Sequence, residues 1–352
     1  MRKSKKGRFD IFSIKKTFLW KIGGKIYRKL KRLKTYCGKY DNVKEEHIKH
    51  FGRDFPDKTF YVIRRSGLNS GLFSHFHSVL DHAIYAISKE YIPVVNMENY
   101  KIFCNEKDPI DIGYKKTSNA WEYFFEQPCG YSLKDIKKAK NVILSTMGYY
   151  NPARIPSSDP YEGTLYPDTF KGKEFVSKWY DFVSQYCKFN SKTLEHIECE
   201  KKMLFGDRRN ILGVFHRGAG YNNINIKNHP IMPSIEQTIQ KTKDVFQKEN
   251  FDYIFVSTEE AESIEAFRNE FPIEKLIFIG RKRVENYDVS SQDYCEYSNV
   301  LYDGALDYLT EVYLLSQCDG IIASKAGGAL AAMGLNNNKY RYVYKWDLGL
   351  KV

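Results

Sequence analysis

Apolar positions fall into two recurring patterns along the chain. Short runs rich in Val, Ile, Phe and Tyr alternate with longer stretches in which apolar residues return every three or four positions. The first stretch lies at the start. Ile11, Ile14, Phe18, Leu19, Ile22, Ile26, Leu30 and Leu33 are interleaved with Lys15, Lys16, Lys21, Lys25, Lys29, Lys31, Arg32 and Lys34. That spacing predicts an amphipathic basic helix, weakened at Gly23-Gly24. A polar linker follows over Asp41–Asp57. Phe60–Arg64 is expected as a strand, a loop with Gly67, Asn69 and Gly71 comes next, and Leu72–Lys89 has helical spacing. Tyr91–Val95 and Asn141–Ser145 are further expected strands, and 148–172 is expected as a loop. Lys173–Lys188 is expected to be helical, less clearly so toward Lys202.

The alternation becomes regular from Asn210. Strands are expected at Ile211–His216, Tyr253–Ser257, Leu276–Ile279, Gly320–Ala323 and Arg341–Lys345. Between them, Ser234-Ile-Glu-Gln237 is a capping-box start for a helix to about Glu249. Thr258 is positioned to cap a helix over Glu259–Asn269. A long polar loop spans 281–302, and helices are expected at Asp303–Gln317 and Gly327–Leu335. Strand–helix alternation of this kind implies a parallel sheet covered on both faces. The expected fold is therefore α/β, with two Rossmann-like domains facing a cleft behind a basic amphipathic helix. The expected divisions are 1–50 for leader and linker, 51–204 for an acceptor-side domain and 205–352 for a nucleotide-binding domain.

Composition adds three constraints. The 352 residues suit two domains, and 42% hydrophobic content is enough to give each a core. Net charge is +12, but residues 1–40 hold 15 Lys or Arg against one acid, Asp10, so the remaining chain is slightly acidic. A nucleic-acid-binding protein carries its basic face on the folded domain, so that class is disfavoured. The basic leader suits an anionic membrane surface, and the same pattern also fits a helix packed on the protein with a solvated basic face. The seven cysteines (Cys37, Cys104, Cys129, Cys187, Cys199, Cys295 and Cys318) are scattered and form no CxxC pair. They suggest no disulfide framework or zinc site, and a reducing cytoplasm is expected. No apolar run approaches the roughly 20 residues of a membrane span, and no secretory signal is recognised.

In open α/β sheets ligands gather beyond the C-terminal ends of the strands. Three such ends carry candidate chemistry. His216-Arg217-Gly218-Ala219-Gly220-Tyr221 couples a guanidinium fork suited to a diphosphate with glycines that admit close backbone approach. Ser257-Thr258-Glu259-Glu260 offers polar side chains for a base or ribose, although a helix cap with acids in its first turn explains it equally. Ser324-Lys325-Ala326-Gly327-Gly328 enters a helix and offers free N–H groups and a lysine as a phosphate cradle, or a small-residue turn for close packing. It is not a Walker A loop. In the first half, His75 and His82 lie seven residues apart on one helix face, and Asp81, Glu122 and Glu126 are candidate carboxylates.

Taken in order, four segments resemble the nucleotide-binding half of the GDP-fucose-dependent transferases, the α-1,6-, α-1,2- and protein O-fucosyltransferases. They are Val214-Phe-His-Arg-Gly-Ala-Gly-Tyr221, Phe255-Val-Ser-Thr-Glu-Glu260, Leu309-Thr-Glu-Val-Tyr-Leu-Leu-Ser-Gln-Cys-Asp-Gly320 and Ser324-Lys-Ala-Gly-Gly328. The resemblance covers about the last 145 residues. It implies Arg217 as the donor-diphosphate arginine, with His216 and Gly218 beside it, and Glu311 as an acid near the guanine. It implies Thr258 and Glu259 near the base or ribose, and Ser324, Lys325, Gly327 and Gly328 on the phosphate side. Asn119-Ala-Trp-Glu-Tyr-Phe-Phe-Glu126 resembles an acceptor-side aromatic segment. The chain departs from the family at Phe215, where a histidine stands two before the arginine, at Gly220, where relatives often have Asp, and at Glu259 and Glu311, where they have Asp.

The activity implied is an inverting, metal-independent glycosyl transfer with no cofactor. A nucleotide sugar, foremost GDP-fucose, would donate to a glycan such as a bacterial surface polysaccharide. Arg217 would stabilise the leaving group, and Glu122, Glu126, His75, Asp81 and His82 are the candidates for acid–base work. Membrane contact through the leader would place the protein at the cytoplasmic face. A non-catalytic nucleotide-sugar-binding protein, or a transferase with another donor, are the competing readings.

Overall fold

The computed structural model describes residues 46–64, 71–98, 109–145, 173–218, 230–281, 283 and 302–352. The expected leader helix, Gly67 and Asn69, the 148–172 loop, Ala219–Tyr221 and nearly all of the 281–302 loop lie outside the described residues. What is described is mixed α/β.

The first sheet has the order β1-β6-β2-β3. β1 (His47–Lys49) is its edge and runs antiparallel to β6. β2 (Asp54–Arg64), β3 (Ile92–Asn96) and β6 (Ala139–Leu144) are mutually parallel. β2 lies between β6 and β3, which is why Phe60-Tyr-Val-Ile-Arg64 is buried without alternation. Between β2 and β3 runs α1 (Leu72–Ser88). The pattern predicts a helix with one apolar side. Instead, His75, His77, Ser78, Asp81 and His82 are buried along with the apolar residues, because α1 is covered by its own sheet and by helices of the second half. A small antiparallel pair, β4 (Ile110–Asp111) with β5 (Lys116–Thr117), precedes a 3-10 turn over Ala120–Tyr123. A single turn, α2 (Leu133–Ile136), leads into β6.

Two helices join the halves. α3 (Lys173–Tyr186) and α4 (Ser191–Leu204) are separate, because Asn190 stops the first run and caps the second by accepting the Thr193 amide at 2.9 Å.

The second sheet is wholly parallel, in the order β11-β10-β7-β8-β9. Its strands are β7 (Ile211–His216), β8 (Tyr253–Thr258), β9 (Leu276–Ile277), β10 (Gly320–Ala323) and β11 (Tyr342–Lys345). Its helices are α5 (Ile235–Lys248), α6 (Ala261–Glu270), α7 (Tyr302–Ser316) and α8 (Gly327–Asn336). The Ser234–Gln237 capping box forms as expected. α6 differs: Glu260, not Thr258, is its N-cap residue. β8 continues through Thr258, which pairs in register with His216, so the helix starts two residues later.

One hydrophobic cluster runs through both halves. Phe73 meets Tyr308 edge-on at 5.3 Å, and Phe124 stacks on Tyr302 at 5.4 Å. α3 crosses α8 where Gly334 leaves room for the Trp179 ring, which a β-carbon at 334 would strike. Among the described residues no helix is long and apolar enough to cross a membrane.

Candidate functional site

β7 is central in its sheet and buried at every position. Its C-terminal end therefore opens between those of β8 and β10. Arg217 is the first residue beyond it. Ser324, just beyond β10, fixes this point. Its Oγ donates to Phe215 O at 3.2 Å and accepts the Arg217 amide at 3.4 Å. Gly218 takes φ +85°, and a β-carbon there would lie 2.5 Å from the Glu260 carboxylate. Both backbone and space thus demand glycine. The Arg217 guanidinium pairs through Nη1 with Glu259 Oε2, and the two side chains are 14% and 10% exposed. The expected residues Arg217, Gly218, Thr258, Glu259 and Ser324 are brought together along one sheet edge.

His216 lies just beneath. Thr238 Oγ1 donates its proton to Ser234 O at 3.0 Å, so at the 3.0 Å His216–Thr238 contact Nδ1–H is the donor. Burial lowers the imidazole to about 4 against the raising fields of Glu260 and Glu236, so it is neutral at pH 7. Glu260 accepts Ser263 Oγ at 2.9 Å.

Glu311, expected near a base, is fully enclosed and engaged on both oxygens. It accepts Arg281 Nε and Nη2 at 2.9 Å each, Arg283 Nη2 at 3.2 Å and Ser257 Oγ at 2.9 Å. The same guanidinium groups donate to the Thr258 carbonyl, Arg281 through Nη2 at 3.1 Å and Arg283 through Nε at 3.2 Å. Glu311 thus holds two arginines under the residue that precedes Glu259. Burial, the largest single influence, works to lower Arg281, but the charge and hydrogen bonds of Glu311, with the charges of Glu259 and Asp307, together outweigh it and leave the group above its ordinary value. For Arg283 burial prevails and lowers it. Neither arginine stands out in the sequence, where both fall in a polar loop.

Beyond β10, Lys325 is 6% exposed and pairs with Asp347 at 2.7 Å, so its charge is already answered within the protein. The Gly327 carbonyl accepts His77 Nε2 at 3.0 Å. His77 is lowered to about 4, burial outweighing that bond, and it donates as a neutral ring. Gly328 packs against Tyr308 and Phe215. A β-carbon would crowd Phe73 at Gly327 and overlap the Tyr308 hydroxyl at Gly328. The helix has Ala326 as N-cap residue and no side-chain cap, which leaves its first amides without a side-chain acceptor.

The acid–base candidates lie on or beside elements of the first half. Glu122 is 6% exposed and accepts Lys115 at 2.9 Å, Thr117 Oγ1 at 2.7 Å and Gln127 Nε2 at 2.9 Å. Burial would raise it, but those bonds and the Lys115 charge together hold it below its ordinary value. It is an anchoring carboxylate for its loop. Glu126 is exposed, and its amide donates to Lys188 O at 2.8 Å. His75 and Asp81 are buried in α1. His82 is buried there too and contacts Tyr61 Oη at 3.1 Å. Among the described residues no cluster of three or more His, Cys, Asp or Glu side chains is arranged to hold a metal ion.

No family model and no curated protein matches the chain. Solved structures do. A NodZ α-1,6-fucosyltransferase soaked with GDP-fucose is 15% identical over 83% of this chain and 96% of its own, with a TM-score of 0.46. A FUT1 mutant from Arabidopsis thaliana, in complex with GDP, is 13% identical over 83% of this chain and 71% of its own, with a TM-score of 0.46. POFUT1 in complex with GDP is 10% identical over 82% of this chain and 98% of its own, with a TM-score of 0.45. The structures this chain is similar to are thus fucosyltransferases.

Proposed function

We propose that this protein is a glycosyltransferase that takes its sugar from a nucleoside diphosphate, with GDP-fucose as the first donor to test. The observation that carries the reading is the setting of Arg217. A guanidinium stands at the C-terminal end of the central parallel strand, its amide is fixed by Ser324, and the uncapped first turn of α8 begins three residues beyond Ser324. An arginine fork and a helix N-terminus together suit a diphosphate. In the chemistry proposed, an acceptor hydroxyl attacks the anomeric carbon as the bond to the diphosphate oxygen breaks. Arg217 and the α8 amides would take up the charge that develops on the leaving group. Glu259 holds the guanidinium until the donor replaces it. Of the acid–base candidates Glu126 is the exposed one, and it is the base to test for the acceptor proton.

A division into an acceptor side over 51–204 and a donor side over 205–352 is supported by the two separate sheets, with α3 and α4 between them in the chain. A cleft between them is supported by the approach of α1, which follows β2, to α8, which follows β10. Both helices start at the C-terminal edges of parallel strands, and His77 bonds Gly327 across the gap. The charge pattern of residues 1–40 supports contact with an anionic membrane surface, with the protein on the cytoplasmic side and a glycan acceptor, such as a surface polysaccharide, assembled there. The test is release of GDP from GDP-fucose in the presence of glycan acceptors. Arg217→Ala is expected to lower the rate at least a hundredfold. An undiminished rate in that variant would sink the reading. Donor binding without turnover would instead favour a binding protein.

A further inference from the structure

Tyr308 lies one turn before Glu311 on α7 and has no distinguishing mark in the sequence. Its residue is 9% exposed and its ring stands edge-on to Phe73 at 87°. The hydroxyl lies directly against Gly328, the second residue of α8. A β-carbon at 328 would overlap it and would stand 3.2 Å from the Phe215 ring. Among the described residues the hydroxyl has no hydrogen-bond partner. A hydroxyl on a side chain about nine-tenths buried is normally paired. This one is aimed at the first turn of a ten-residue helix that has no side-chain cap.

We infer that the Tyr308 hydroxyl and the first-turn amides of α8 form one anion contact, in which Tyr308 donates a hydrogen bond to a phosphate oxygen of the bound nucleoside diphosphate. The inference rests on the reading of the site as a donor site. It also explains Gly328. A side chain at 328 and a hydroxyl at 308 compete for one place, so glycine there admits the tyrosine's donor into the cradle. Burial, and after it the charge of Glu259, push the hydroxyl well above the ordinary tyrosine value against Arg217 and Arg281, so it stays protonated and able to donate. A phenol donor at the phosphates also supplies what Lys325, committed to Asp347, does not.

The test is calorimetric binding of GDP, UDP and the phosphate-free nucleosides guanosine and uridine to the full chain. Whichever diphosphate binds the wild type more tightly is carried forward with its nucleoside. Tyr308→Phe removes one oxygen and keeps the ring against Phe73, and its ligand-free melting temperature is read first. The expected result is a loss of about tenfold or more in diphosphate affinity, as for a hydrogen bond to a charged group, with nucleoside affinity unchanged. Gly328→Ala, which pushes a methyl group against the hydroxyl, is expected to show the same selective loss. Wild-type affinity for the diphosphate in Tyr308→Phe, or equal weakening of diphosphate and nucleoside, overturns the inference and leaves the donor-site reading standing. No binding of either diphosphate by the wild type overturns both.

Discussion

Replacing Glu311 with glutamine tests the most enclosed ion pair among the described residues. The glutamate is 0% exposed and Arg281 is 1% exposed at the side chain, so water replaces nothing that is lost. Glu311→Gln keeps the volume but removes the negative charge and turns one acceptor into a donor facing donors. Arg281 and Arg283 then remain buried with no carboxylate. Removing one partner of a buried ion pair costs about 3–5 kcal/mol, a large share of the roughly 5–15 kcal/mol that holds a domain together. At roughly 2–4 °C per kcal/mol for domains of 150–250 residues, the lower cost alone corresponds to a fall of about 6–12 °C in melting temperature. Circular dichroism melts of wild type and variant measure it. The double change Glu311→Met with Arg281→Met is expected to recover part of the loss, because it removes both charges of the closest pair together. A Glu311→Gln protein melting within about 1 °C of wild type would refute the reasoning and show that the arginines find another counter-charge.

Two further outcomes follow from the geometry. Gly218→Ala is expected to destabilise by about 1–3 kcal/mol from the positive φ alone, with a further cost as the Glu260 carboxylate is displaced. Urea titration would show it, and a wild-type midpoint would contradict it. His77 is held neutral in the fold, at about 4 against an ordinary 6.5. The unfolded chain therefore binds more protons between these values, and stability falls as pH drops from 6.5 toward 4. The loss approaches about 3 kcal/mol at roughly 1.4 kcal/mol per unit. His77→Gln is expected to make that acid limb shallower in melts at pH 4.5 and 7, and an equally steep limb would count against the assignment.

The second half of the chain was legible because its signals are local. Ile211–His216 is a continuous apolar run of strand length, and Ser234 and Gln237 form a capping box that needs only four residues. Parallel order then placed Arg217, Thr258 and Ser324 at one edge. The less legible features depend on distance. Glu311 is 30 residues from Arg281 and 54 from Ser257 in sequence, so nothing near it indicated that its oxygens are occupied. Tyr308 reads as one more helix aromatic until Gly328, twenty residues on, is seen beneath its hydroxyl. In the first half, α1 looked one-sided because amphipathic spacing assumes one covered face, whereas both the β2 sheet and α8 cover it. Thr258 was a fair helix cap by residue type, but the register of β8 against β7 drew it into the strand.

The central claim is that a nucleoside diphosphate binds at Arg217, and the most direct test is thermal denaturation of the purified chain with GDP, UDP, ADP and CMP, with and without EDTA. A ligand at 100 times its dissociation constant stabilises the native state by roughly 2.7 kcal/mol, a readily visible shift. The expected result is a shift with GDP that persists in EDTA and is lost in Arg217→Ala. Absence of a shift with every nucleotide, or an equal shift in Arg217→Ala, would contradict the account.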